Sequence, residues 1–318
     1  MDAVTTVEII HWICVCTSDW LCSVTLILKS GRLLELAGLV AAPFGPDDEA
    51  SRSVIARADR TVAGLSKKIT VLVFVALAAA LLKEPLFGTR KLPLYGWFPF
   101  PVTDWSQGYW VALIFQVSFA LNICLCECAH MVIFVAFGLH LAARVRILRM
   151  SLRRLDQVTP QSITPCIEQH LAVLRYFDIF QEIYSYVLLT TALASALKSC
   201  TIGYLVTDPK TTSATTLSLI AILVPEMSTA VLYCWLGQII TDEGEKLREA
   251  VYGTMWYQQT GDGVSFKKTE IMMMQLRCAA PLTLSGRGLQ NFSREGLAEI
   301  LALSYSYFNM LTALRAKK

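Results

Sequence analysis

The last fifteen residues, 304–318, carry the side chains that are best placed to do chemistry in a membrane. They form an apolar stretch that contains Ser, Tyr, Asn and Thr and ends in a short basic tail. A helix that faces hydrocarbon has no use for hydroxyl and amide groups, whereas a helix that lines a wet path between subunits does. The pattern favours a pore-lining helix, with the rest of the chain as its frame.

Two carboxylates lie inside other apolar stretches. Asp19 falls near the middle of one and Glu226 near the middle of another, just after a proline. A charge at the centre of a bilayer costs about 3 kcal/mol or more, so each acid should face the protein interior, find a donor or take up a proton. Either one of them serves a binding pocket or its link to a gate, or each is a neutral acid bonded to Ser18, Ser23, Thr229 or a carbonyl group.

The cysteines give no sign of a metal centre. Cys124, Cys126, Cys128 and His130 follow one another at steps of two, and each such step turns a helix by about 200°, so the four side chains cannot converge on one ion. Most of the ten cysteines lie in apolar stretches, where Cys acts as a small hydrophobe, so we expect no disulfide framework.

The sequence contains no nucleophile–base pair, phosphate loop or redox motif, so we expect no cofactor and no enzyme activity. A net charge of only +3 gives no reason to expect a nucleic-acid partner.

Hydropathy places these residues in a membrane. The chain is 54% hydrophobic, with a mean hydropathy of +0.50, and its apolar residues form blocks of about 20, the length that crosses a bilayer. The sequence predicts an all-α, polytopic helical membrane protein with a single membrane domain. Six spans are predicted, at about 7–28, 69–86, 109–141, 183–206, 217–240 and 297–314.

Basic residues predict the orientation of these spans. Most of the 28 Lys and Arg residues fall in the first, third and fifth loops, which places those loops in the cytoplasm and both chain ends outside. Apolar residues at helical spacing predict cytoplasmic helical extensions at about 142–182 and 241–290. These extensions would pack against each other or a neighbouring subunit, or lie on the membrane face.

From about Val7 to Arg315 the chain resembles the insect odorant receptor family. The most specific stretches are Ser304-Tyr305-Ser306-Tyr307-Phe308, similar to the family's C-terminal signature, and 274–284, similar to the segment before the last helix. Further similar stretches are 92–100, 166–171, 233–238 and 250–257.

The resemblance implies an odour-gated, non-selective cation channel in the plasma membrane, as expected in olfactory neurons. Members assemble as tetramers of a tuning subunit with a shared co-receptor, and this chain resembles the tuning subunit because it lacks the co-receptor's large insertion. The narrow apolar ring of the pore then falls on Met310 and Leu314. Ser306, Asn309 and Ala313 are candidates for the same pore-facing or subunit-facing side, since steps of three and four share a helical face. The alternative is that Met310 and Leu314 simply pack against another helix.

The resemblance also implies a pocket for a small volatile ligand in the outer half of the membrane. Affinity for such a ligand comes mostly from buried area and shape. The expected lining residues are His11, Trp12 and Cys16 on the first span, Val75 and Ala79 on the second, Trp110, Gln116 and Phe119 on the third, and Ile220, Val224 and Met227 on the fifth.

The number of spans is where the chain departs from the family. Members have seven, whereas this sequence shows six, and its first span resembles their second. We therefore expect the leading helix to be absent. A membrane transporter or a G-protein-coupled type of seven-helix chemoreceptor are the alternatives. The first would need an internal repeat or interrupted helices, and the second would place the C-terminus inside the cell.

Overall fold

The computed structural model describes residues 3–86, 92, 98–102, 106–155, 159–207, 211, 213–254 and 262–316. This part of the chain forms helices and one short β-ribbon. The helices are α1 (Ala3–Leu28), α2 (Ser30–Ala41), α3 (Glu49–Leu86), α4 (Gln107–Arg153), α5 (Pro160–Val206), α6 (Ser213–Gly253), α7 (Asp262–Ala279) and α8 (Arg294–Ala316). Strands β1 (Ser285–Gly286) and β2 (Gln290–Asn291) pair antiparallel between α7 and α8. The predicted all-helical class is confirmed.

Five helices within the described residues are long and apolar enough to cross a membrane: Ile9–Leu28, Glu49–Leu81, Gln107–Arg153, Gln161–Val206 and Leu219–Gly253. The first five predicted spans each fall largely on one of α1, α3, α4, α5 and α6. The sixth, 297–314, lies in α8. That helix is not among the five found within the described residues.

Helices α4 and α5 are much longer than a bilayer is thick. Each has 47 residues, which corresponds to about 70 Å of helix against about 30 Å of hydrocarbon. The predicted extension at 142–182 is formed by the end of α4 and the beginning of α5. Helix α5 begins with a capping box, in which the Thr159 hydroxyl accepts from the Ser162 backbone N–H and Pro160 follows the cap.

The predicted helical extension at 241–290 is only partly helical. Helix α7 ends at Ala279, and the chain then turns into the ribbon of β1 and β2. The turn between the strands contains Arg287 and Gly288 with positive φ values of 54° and 73°. Residues with positive φ do not fit an α-helix, so the predicted helical extension does not continue through this turn.

The ribbon is held against α5 by hydrogen bonds from one side chain. Gln181 Nε2 donates to the backbone oxygen of Ser285 at 2.5 Å, and Gln181 Oε1 accepts from the Ser285 backbone N–H at 3.2 Å. Gly286 lies against the Leu189 backbone, where an added Cβ would come within 2.8 Å of the Leu189 nitrogen. The ribbon therefore fixes the start of α8 relative to α5.

Aromatic side chains form the centre of the core. The Phe134 ring on α4 lies 4.2 Å from that of Tyr233 on α6 and 4.9 Å from that of Tyr184 on α5, measured between centroids. Phe180 and Phe292 extend the cluster along α5 and toward α8. All five side chains are buried, so this cluster joins the three long helices to the beginning of α8.

Helix α8 packs on α5 through one face. Ile300 and Ser304 are buried, and the Phe308 ring packs at Gly203, where an added Cβ would lie 3.3 Å from a ring carbon. These residues recur at steps of four, as expected for a single contact face. The other side of α8 does not contact its own chain in the same way.

Candidate ligand-binding cavity

A largely apolar cavity of about 80 Å³ lies between four helices. Its lining side chains are His11, Trp12 and Val15 from α1; Val73, Ala76, Leu77, Ala80 and Leu81 from α3; Phe119, Ala120, Ile123, Cys124 and Glu127 from α4; and Pro225 and Glu226 from α6. Two carboxyl groups and one imidazole therefore face an otherwise hydrocarbon surface. Small-molecule sites commonly combine an apolar wall with a few polar groups in this way.

Several residues expected in a pocket line this cavity. His11, Trp12, Phe119 and Glu226 are among its walls. Cys16 lies instead in a neighbouring open groove, which it shares with Asp19.

The face of α3 that lines the cavity differs from the face expected in the pocket. Val75 is 59% exposed, and neither Val75 nor Ala79 lines the cavity. The cavity is lined instead by Val73, Ala76 and Ala80 on the same helix. A shift of two residues turns a helix by about 200°, so a small error in position selects the opposite face.

The remaining expected pocket residues also lie elsewhere. Trp110 and Ile220 are 45% exposed, Gln116 is buried, and none of the three lines the cavity. Val224 and Met227 line a separate groove on the outer side of α6. The structure thus brings together only part of the set expected from sequence.

A buried ion pair lies beside the cavity. Lys198 Nζ on α5 is 2.9 Å from Glu226 Oε2, and the two side chains are 6% and 9% exposed. Asp19 and Glu127 line the same polar pocket of about 30 Å³, which has room for a water molecule. Three carboxyl groups therefore surround one ammonium group.

The carboxyl groups do not use the partners expected from sequence. Ser18 donates to its own helix at the Val15 carbonyl, and Ser23 pairs with His130 Nε2 at 3.3 Å. The Glu226 carboxylate binds Lys198 instead. Asp19 Oδ2 is buried and has no hydrogen-bond partner among the residues that the structure describes.

Glu127 and Lys198 are the charged site residues that sequence reasoning missed. Lys198 was treated as one of the basic residues of the outer loops, although it lies inside the predicted span 183–206. Glu127 lies among the cysteines that were weighed as metal ligands. An isolated charge inside an apolar stretch was the available signal for both, because such charges require a buried partner.

The tautomer of His11 follows from its hydrogen bonds. The Thr201 hydroxyl donates to the Lys198 carbonyl at 2.8 Å, and a carbonyl can only accept. The hydroxyl proton is thus already used, so His11 Nδ1, 3.1 Å from the Thr201 oxygen, must be the donor in that contact. In the neutral imidazole Nε2 is then an acceptor, and it has no partner in the described part of the chain.

Metal ligation finds no support in the described residues. They contain no group of three or more His, Cys, Asp or Glu side chains that could hold an ion.

Four of the five residues expected at a pore are exposed on α8. Met310 is 53% exposed, and Ser306, Asn309 and Ala313 are exposed as well. Leu314 belongs to α8, but its side chain lies outside the part that the structure describes. The face opposite the α5 contact is therefore available to another chain or to water.

Comparisons with known proteins agree with this architecture. The model of the 7tm Odorant receptor family matches residues 32–305. The chain is 28% identical over 149 residues to the Odorant receptor coreceptor of Aedes aegypti and 27% identical over 145 residues to Odorant receptor 67a of Drosophila melanogaster. These matches cover 47% and 45% of this chain but only 30% and 34% of the relatives, about a third of their length.

Solved structures show the same fold. The insect olfactory receptor OR5 from Machilis hrabei in complex with eugenol superposes with a TM-score of 0.89, covering 99% of this chain and 83% of that receptor at 18% identity. A second structure of OR5 gives a TM-score of 0.81, over 98% and 81% of the two chains. Since the family model covers most of the sequence, the chain belongs to the 7tm Odorant receptor family, and it is a multi-pass helical membrane protein.

Proposed function

We propose that this chain is an odorant receptor subunit that binds a small volatile molecule in the cavity between α1, α3, α4 and α6. In this proposal it gates a non-selective cation channel together with a co-receptor. The cavity carries the proposal: it is the apolar, four-helix site in which His11, Glu127 and Glu226 supply the few polar groups. The structural neighbour OR5 has been solved in complex with eugenol.

The strength of binding expected for such a cavity fits a sensor. A ligand that buries ~250 Å² of apolar surface gains about 6 kcal/mol before the entropic costs of association. That corresponds to weak, readily reversible binding. A receptor that reports changes in odour concentration needs this reversibility.

A physical connection links the cavity to α8 in this proposal. Glu226 in the cavity wall pairs with Lys198 on α5, and about one and a half turns further along α5 Gly203 contacts Phe308. A ligand that binds better to one arrangement of α5 and α6 shifts the population toward it, and α8 follows because it packs on α5. The exposed face of α8, with Met310 and Ser306, would then line the pore with the matching helices of other subunits.

Filling the cavity tests the proposal. Ala76→Trp places a large ring inside it, whereas Val75→Trp adds the same ring to the outward face of the same helix. Each variant is expressed with an insect co-receptor, its surface level is measured, and currents are recorded against an odorant panel. We expect Ala76→Trp to abolish odour-evoked current at normal surface level and Val75→Trp to retain it. The reverse result contradicts the proposed site.

A further inference from the structure

We propose that the ligand of this cavity must bring a hydrogen-bond donor, as an alcohol, phenol or amine does, and that ethers of the same size are rejected. The inference rests on the proposed function and specifies the chemical class of ligand that the site takes. It follows from the acceptors of the cavity wall, of which His11 Nε2 has no partner among the described residues.

His11 supplies the first acceptor. Its side chain is only 3% exposed, it lines the cavity, and its Nδ1–H is committed to Thr201. The Nε2 lone pair is left without a donor among the described residues. A buried acceptor that stays unpaired costs about 1–3 kcal/mol, so a ligand that donates to it recovers this energy.

Glu127 and Glu226 supply further acceptors. Lys198 pairs with Glu226 and can balance only one of the three nearby carboxyl groups. Glu127 receives only a long contact of 3.5 Å from the Thr229 hydroxyl, whose single proton lies nearer the Pro225 carbonyl at 3.1 Å. The carboxyl group of Glu127 therefore has capacity for a donor from the ligand.

Donors on the wall are few. Besides His11, Glu127 and Glu226, the polar lining side chains are the Trp12 indole, which donates its N–H, and the Cys124 thiol, a weak donor. Pro225 also lies in the wall, and because it has no N–H, the Ala221 carbonyl loses its usual helical donor. A ligand that offers only acceptors, such as an ether, would leave His11 Nε2 unpaired.

Isomeric ligands separate this inference from simple apolar binding. 1-Hexanol and methyl pentyl ether have the same atoms, and only the alcohol donates. 2-Phenylethanol and its methyl ether form a second pair that differs by a capped hydroxyl. A purely apolar cavity prefers the ether, because burying an unpaired hydroxyl is costly. A donor-requiring cavity prefers the alcohol, and one hydrogen bond to a charged or unpaired acceptor corresponds to about tenfold or more in affinity.

The affinities are measured on the purified chain in detergent from ligand-dependent thermal stabilisation, and again from currents with a co-receptor. In the unaltered chain we expect each alcohol to bind about tenfold or more tightly than its ether. His11→Phe keeps a ring but removes the acceptor, and it should reduce this ratio toward one. Val15→Ala enlarges the same cavity without removing an acceptor, and it should leave the ratio unchanged while weakening both ligands.

The outcomes separate the two proposals. Equal affinity for alcohol and ether in the unaltered chain, or an ether preference, overturns the donor requirement and leaves the proposed function standing. This comparison needs no variant, so it holds even if His11→Phe fails to fold. Failure of the whole odorant panel to stabilise the chain or evoke current contradicts the proposed function itself.

Discussion

Lys198 Nζ lies 2.9 Å from Glu226 Oε2, and this contact joins the wall of the cavity to the helix on which α8 packs. Both side chains are buried, in a region where Asp19 and Glu127 add two more carboxyl groups. A charge in such a place persists only with a partner. Each side chain of the pair therefore requires the other at the α5–α6 contact, and the pair lies beside the cavity.

Removing Lys198 alone should destabilise the protein severely. Lys198→Met leaves Glu226 as an unpaired buried carboxyl, a change that costs about 3–5 kcal/mol in other proteins. The double variant Lys198→Met/Glu226→Met replaces the pair by apolar side chains and should recover most of this loss. Thermal unfolding of detergent-purified protein, arranged as a double-mutant cycle, measures the coupling. A double variant that is as unstable as Lys198→Met shows that the ion pair does not carry this role.

Arg144 should be intolerant of lysine. Its guanidinium donates to the carbonyl oxygens of Leu39, Val40 and Ala42 at the end of α2, and it lies 4.6 Å from the centroid of the Phe44 ring. A lysine keeps the charge but cannot serve several carbonyls and stack on a ring at once.

We therefore expect Arg144→Lys to lower the free energy of unfolding by about 1–3 kcal/mol. It should also expose the segment after α2 to limited proteolysis. Arg153→Lys, at an exposed position at the end of α4, is the matched control and should change neither. Equal effects of the two variants would argue against a special role for Arg144.

The sequence predicted the helices far better than the faces they present. Hydropathy located α1, α3, α4, α5 and α6, because long apolar stretches admit few alternatives in a membrane. It could not orient α3, since residues 71–82 are almost uniformly apolar and no polar stripe marks the outward side. Val75 was therefore expected where Val73 and Ala76 lie.

The polar part of the site was predictable in kind but not in pairing. Asp19 and Glu226 attract attention as carboxyl groups in apolar stretches, and the need for a partner follows from solvation. The partner itself, Lys198, lies 28 residues from Glu226 on another helix, and only the packing of α5 on α6 brings them together. Glu127 likewise becomes informative only once the helices are assembled.

Asp48 should make stability depend on pH in the acid range. The pKa of this carboxyl is held well below its ordinary value of 3.8 because it accepts from Ser51 at the start of α3 and from the Arg154 guanidinium. A lowered folded-state pKa means that the contribution is complete above the ordinary value and is lost as the pH falls toward the folded-state pKa.

Asp48→Asn keeps a capping side chain but does not titrate. The stability difference between the unaltered protein and Asp48→Asn should therefore shrink as the pH is lowered below about 4. Melting temperatures across a pH series measure this difference. A difference that stays constant down to acid pH would show that the charge of Asp48 does not contribute.

Gly237 should not accept a side chain. It lies on α6 against the segment before α8, where an added Cβ would be 2.0 Å from the Phe292 carbonyl oxygen, a backbone atom that cannot easily move. We expect Gly237→Ala to lower the free energy of unfolding by about 1–3 kcal/mol or more.

Gly64→Ala on α3 is the control: the added methyl group meets no atom within 4 Å and should stabilise the helix by about 0.5–1 kcal/mol. Chemical or thermal unfolding of both variants checks the contrast, and similar effects would contradict the close approach of α6 and Phe292.

Met310 is the sharpest test of the proposed pore. It is 53% exposed on the face of α8 that points away from α5, with Ser306 one turn before it. If this face forms the narrow apolar ring with other subunits, Met310→Ala removes a barrier to water and ions. Co-expressed with a co-receptor, the variant should show several-fold higher current without odorant and altered relative permeability to cations.

Leu301→Ala, at an exposed position on the opposite side of the same helix, is the control and should leave both properties unchanged. Unchanged conductance and selectivity in Met310→Ala, at normal surface level, would place the gate elsewhere.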